Sequence, residues 1–173
     1  MPKKDFARDY ATEAFRFYAK CGKPTYDELY QKIYDEAMKS SQGQEHLGIQ
    51  GGISKPTEQT VLKADSEVER RKAELLDVLA VERVLWKLKE DKKDVAEKII
   101  EMVYFVDADK ELEKGDIARR VDNASLEIPM SEAQIYRYLR LARMLFCEER
   151  GLRHKNSSKD DSTSTKKCAT IVS

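Results

Sequence analysis

Turn-forming residues are scarce in this 173-residue chain, which holds only seven glycines and four prolines. In a chain that is 37% charged and rich in Ala, Glu, Lys, Leu and Arg, that scarcity favours helices and leaves little room for a β-sheet. Cysteine is also sparse. Cys21, Cys147 and Cys168 are odd in number and far apart, which argues against a disulfide framework. The two histidines, His46 and His154, have no cysteine at metal-ligand spacing, so no zinc site is expected. Neither charge sign is in excess, because 32 Lys and Arg balance 32 Asp and Glu. A bulk electrostatic coat on nucleic acid is thereby excluded, and any nucleic-acid binding must come from local asymmetry.

Long apolar runs are missing as well, so no membrane span is expected. The N-terminus passes from Met-Pro-Lys-Lys straight into an amphipathic pattern, unlike a signal peptide. Cys168 stands too far inside for a prenylation box. These features predict a soluble, cytoplasmic protein. No histidine lies near a cysteine or serine in a nucleophilic arrangement, and the carboxylates are spread over solvent-face positions. The chain therefore reads as a non-enzyme without a cofactor.

What is present is helical periodicity. Residues 4–20 carry Phe6, Tyr10, Ala14, Phe17 and Tyr18 on one side, and Gly22 can take the left-handed cap position. Thr25 and Glu28 form a capping box for a second helix to about Lys39, with Tyr26, Leu29, Tyr30, Ile33, Tyr34 and Ala37 at helical spacing. The pair predicts a tyrosine-rich helical hairpin over residues 1–40. Residues 41–55, with Gly43, Gly48, Gly51 and Gly52, read as a flexible linker. A phosphate loop would need the Gly-Lys-Ser/Thr ending that this stretch lacks.

Pro56 opens a long helical pattern to about Lys89. A sparse stripe (Val61, Ala64, Val68, Leu75) feeds a dense apolar arc that includes Leu76, Leu79, Val84, Trp86 and Leu88. Such a pattern predicts one long helix that projects outward and then buries itself. Asp94 can cap a further helix over 95–105. Asp107, Asp109 and Glu111 resemble part of a calcium loop, but the glycine and the terminal glutamate are out of register. The tail 154–173 is rich in Ser, Thr, Lys and Asp, lacks periodicity and is expected to be disordered.

The most informative stretch is Lys114–Gly151. Ile117, Ala118 and Val121 predict the core face of a short helix, with the small Ala118 at its crossing. Asp122–Met130 reads as a lengthened turn. Ser131 with Gln134 then forms a capping box, and Ile135, Tyr138, Leu139, Ala142, Leu145 and Phe146 make an apolar stripe. Two helices in this order form a helix-turn-helix, the core of a domain expected over 56–153. From Lys114 to Lys155 nine basic residues face six acidic ones, a local net of +3 in a neutral chain. Residues early in a recognition helix reach base edges, which makes Glu132, Ala133, Tyr136 and Arg137 the readers of double-stranded DNA. Arg119, Arg120, Arg140 and Arg143 suit phosphates, and the N–H groups behind Ser131 offer another phosphate seat.

Residues 75–150 resemble the fourth, promoter-binding region of bacterial sigma factors. The similar order is LLDVLAVERVLWKL, EMVYFVD, GDIARRV and SEAQIYRYLRLAR. Stand-alone versions occur in phage- and prophage-encoded transcriptional regulators of the ArpU and RinA types. The resemblance implies promoter reading through Glu132, Tyr136, Arg137 and Arg140, with RNA polymerase as a further contact. It covers less than half of the chain, and nothing here is similar to the promoter-melting region. The alternatives are a small terminase-like packaging subunit, which would form a homo-oligomeric ring, and an adaptor that docks RNA polymerase or a sigma factor without touching DNA.

Overall fold

The structure is a computed structural model, and it describes residues 5–42, 58–90 and 94–152. These residues are all helical in their regular structure and include no strand. α1 spans Phe6–Lys20 and α2 spans Tyr26–Gln42. α3 (Glu58–Arg70) and α4 (Lys72–Glu90) follow. α5 (Asp94–Ile100) runs into a π-helical segment, Glu101–Phe105. α6 covers Asp116–Glu127 and α7 covers Glu132–Glu149.

The helix ends follow local chemistry. Asp5 accepts from the Arg8 amide at 3.2 Å to start α1. Thr25 and Glu28 exchange side-chain-to-backbone bonds of 2.8 and 3.3 Å, the reciprocal box that starts α2. α1 and α7 end alike. Gly22 and Gly151 sit at φ 89° and 64°, and the residue after each glycine donates back to the carbonyl five residues earlier, Lys23 to Tyr18 and Leu152 to Cys147. That closure needs a left-handed residue, which glycine supplies without a Cβ penalty.

The predicted single long helix is broken at Arg71. Its amide is shared between the Glu67 and Val68 carbonyls at 3.1 and 3.2 Å, and its guanidinium reaches Glu74 at 2.7 Å and Glu36 of α2 at 3.9 Å. The sparse half does not project outward. α3 packs along α2, and Ala64 and Thr60 are buried there. A narrow apolar stripe is enough once a partner helix covers it. α2 also extends to Gln42, into residues expected to be linker. The glycines of that linker, Pro56 and the tail from Arg153 lie outside the described residues.

α1 and α2 do not form the expected pair. α1 lies against α4, the π segment and α7, whereas α2 lies against α3 and α4. Phe15 of α1 stacks on Tyr104 of the π segment at 5.5 Å and meets Phe146 of α7 at 5.9 Å. Buried side chains from every helix except α3 join one core around α4, which supplies Leu75, Val78, Ala80, Val81, Val84 and Leu88. Two residues of the expected buried arc point outward instead: Trp86 is 59% exposed and Leu76 37%.

Candidate nucleic-acid interface

α6 and α7 pack on one another and are joined by residues 128–131 alone. The lengthened turn expected over 122–130 is mostly helix: α6 runs on to Glu127, and Ile128 then adopts an extended backbone (φ −107°, ψ 129°). Pro129 explains the stop, because a proline ring disfavours helical backbone in the residue before it. Ala118, expected at the crossing, is exposed. Ala124 is the fully buried small residue on α6, beside Val121 and one turn before Ile128.

α7 starts as its sequence predicts. The Ser131 hydroxyl accepts from the Gln134 amide at 3.4 Å, and the Gln134 side chain accepts from the Ser131 amide at 3.0 Å. The stripe is buried through Ile135, Leu139, Ala142, Phe146 and Cys147. Its opposite face in the first turns presents Glu132, Ala133, Tyr136, Arg137 and Arg140, all exposed. These five share one surface at the start of a rigidly capped helix.

The remaining cations divide. Arg119 is exposed on α6 and bonds Asp116 at 2.7 Å, one helical turn back. Arg120 is 7% exposed and therefore no phosphate ligand. Its Nη1 donates to the Val103 carbonyl at 3.1 Å, and Nη2 stands 4.0 Å from the Asp107 carboxylate. Burial, with Arg16 nearby, lowers its proton affinity from the ordinary arginine range. Arg16, 2% exposed, donates to the Asp107 and Lys110 carbonyls and so ties α1 to the loop before α6. Arg143 is also turned inward, donating to the buried Tyr104 hydroxyl at 2.6 Å.

Arg120, Arg143 and Arg150 serve internal contacts, and Arg153 and Lys155 lie outside the described residues. Among described residues of 114–152, four exposed cations (Lys114, Arg119, Arg137, Arg140) face four exposed acids (Asp122, Glu127, Glu132, Glu148). Among the described residues of this stretch, the exposed charges balance. The exposed cations of these residues are Arg137 and Arg140 on α7, Arg119 on α6 and Lys114 before α6.

Three groups of polar contacts were beyond sequence reading because their partners are far apart in the chain. Arg150 donates to Asp77 at 2.6 Å, and the Tyr10 hydroxyl donates to the same carboxylate at 2.7–2.8 Å, joining α1, α4 and the end of α7. Glu149 accepts from Lys87 and from Arg83 (3.4 Å) of α4, which holds its carboxyl below the usual range. Lys23 pairs with Glu101 at 2.5 Å and lies over the Phe105 ring.

Among the described residues no cluster of His, Cys, Asp or Glu is arranged to hold a metal ion, and no helix is long and apolar enough to cross a membrane. No family model, curated protein or solved structure matches this chain.

Proposed function

We propose that the protein is a sequence-specific DNA-binding regulator, of the transcriptional kind that its resemblance to the sigma promoter-binding region implies. The supporting observation is the exposed start of α7, where Glu132, Ala133, Tyr136, Arg137 and Arg140 share one face of a helix anchored by a buried stripe and a capping box. The short connection at 128–131 suits a helix-turn-helix. In this reading Arg137 pairs with a guanine edge. Arg140 and Arg119 meet phosphates together with the amides behind Ser131. Arg120 and Arg143 leave the interface and become structural.

The test is selection of a bound DNA fragment, followed by titration of Arg137→Ala and Arg140→Ala across a salt series. Arg137→Ala should cost about 1–3 kcal/mol on the selected site and relax base preference, and Arg140→Ala should reduce the salt slope by about one phosphate contact. Wild-type affinity and slope in both variants would remove the proposal.

A second reading has its own observation. Trp86 is exposed on α4, on the same helix as Leu76, and the exposed charge of 114–152 is balanced. An aromatic anchor of this kind favours a protein-docking adaptor. No DNA retention at low salt, with capture of RNA polymerase lost in Trp86→Ala, would favour it.

A further inference from the structure

α4 carries more apolar surface than the core takes up. Its inner side is buried through Leu75, Val78, Val81, Val84 and Leu88. Its outer side holds Leu76 and Trp86, 37% and 59% exposed, with the half-buried Leu79 between them. Lys72, Leu76, Leu79, Arg83, Trp86 and Glu90 follow one another at alternating steps of four and three residues. That is the seam spacing of a paired helix, kept here over about 27 Å at 1.5 Å of rise per residue. All of these except Leu79 are exposed, so the seam faces away from the core.

We infer that two copies of the chain pair along this stripe, antiparallel, about a two-fold axis level with Val81. The order of steps reads the same from either end, so the stripe maps onto itself when one helix is reversed. The layers are then Lys72 with Glu90, Leu76 with Trp86, and Leu79 with Arg83, each formed twice by symmetry. Opposite charges close both ends, and the apolar residues meet in between. A parallel pair would instead set Lys72 on Lys72, Arg83 on Arg83 and Glu90 on Glu90, like charge on like. The charges choose the orientation. Arg83 is drawn aside to Glu149 at 3.4 Å, which leaves its aliphatic stem to cover Leu79. Lys72 meets Glu69 at 2.8 Å, an exposed pair readily exchanged for Glu90 of the other copy. An unrelated partner would need only an apolar stripe, whereas ends of opposite charge in this order are what self-pairing requires. The pairing does not rest on the DNA reading, and it gives Trp86 an occupant other than RNA polymerase.

Sedimentation equilibrium of the full chain without DNA, over a concentration series up to about 1 mM, tests the pairing. The expected result is a monomer–dimer equilibrium with no larger species. Trp86→Ala should weaken the dimer at least about tenfold with an unchanged far-UV spectrum. Lys72→Glu and Glu90→Lys should each weaken it by about fivefold, because each sets like charges at both ends. The two changes together should restore it, since they exchange the partners of each end layer. These charge variants lie at exposed positions and decide the matter if Trp86→Ala does not fold. A monomer throughout the series, or an assembly larger than two, overturns the inference. So does a dimer that Trp86→Ala leaves intact, or a double charge variant that pairs no better than the single ones.

Discussion

Arg120 and Arg137 are both arginines on helix surfaces in the sequence, yet only one is a surface residue. A guanidinium can solvate a phosphate or satisfy buried carbonyls, and the choice depends on what the other side of the helix faces. Arg143 makes the point measurable. Its Nη1 holds the hydroxyl of Tyr104, a residue that is fully buried. Arg143→Leu should leave that hydroxyl without its partner and lower unfolding free energy by about 1–3 kcal/mol in denaturant titration, with DNA affinity unchanged where the variant is folded. Cys147 is a second residue whose behaviour follows from burial. Its thiol is 1% exposed and its pKa is raised by desolvation. Alkylation of Cys147 in the native protein should be slower than in the denatured chain by orders of magnitude, as peptide mapping would show; fast native labelling would contradict the packing of α7.

The elements show where pattern reading works and where it stops. The starts of α2 and α7 were readable because a capping box is local: the hydroxyl and the carboxylate or amide that exchange bonds are three residues apart. Ser131→Ala should therefore cost about 1 kcal/mol by thermal unfolding and reduce DNA affinity through a frayed α7 start. The second half of α6 was not readable. Between Asp122 and Glu127 only Ala124 is buried and Leu126 is 81% exposed, so no apolar period announces a helix. Its continuation is carried by the packing of Val121, Ala124 and Ile128 and by the Pro129 stop. Ala124 is fully buried in the core. Ala124→Leu should destabilise by about 1–3 kcal/mol. The matching change at exposed Ala118 should stay within about 0.5 kcal/mol.

Across the molecule, α1 is the piece whose role the sequence concealed. Its amphipathic stripe is plain, but periodicity shows only that a helix buries a face, and not against which partner. The partners prove to be α4, the π segment and α7 rather than its neighbour in the chain. Phe15→Ala should cost about 3–5 kcal/mol and loosen Tyr104 and Phe146 together, as loss of their ring-proton dispersion would report. The far end of α7 is held to α4 through Glu149, whose folded pKa is lowered first by the Lys87 hydrogen bond, a contribution present at neutral pH. A lowered carboxylate stabilises the fold above its unfolded pKa, and that stability disappears as pH falls through the folded value. Glu149→Gln should lose about 0.5–1 kcal/mol at pH 7 and less in acid, giving a flatter acid limb than wild type.

Helical class, the two capping boxes, the glycine closures and the exposed face of α7 are written in short-range spacing, which is why the chain alone specifies them. The tertiary structure alone decided the rest. It broke the long helix at Arg71 so that α3 could lie on α2, set α1 against α7, and drew Arg120, Arg143 and Arg150 inward to groups 17, 39 and 73 residues away. Local chemistry fixes where a helix starts and which side is apolar. The partner of that side, and of each charge on it, depends on contacts that no local spacing encodes.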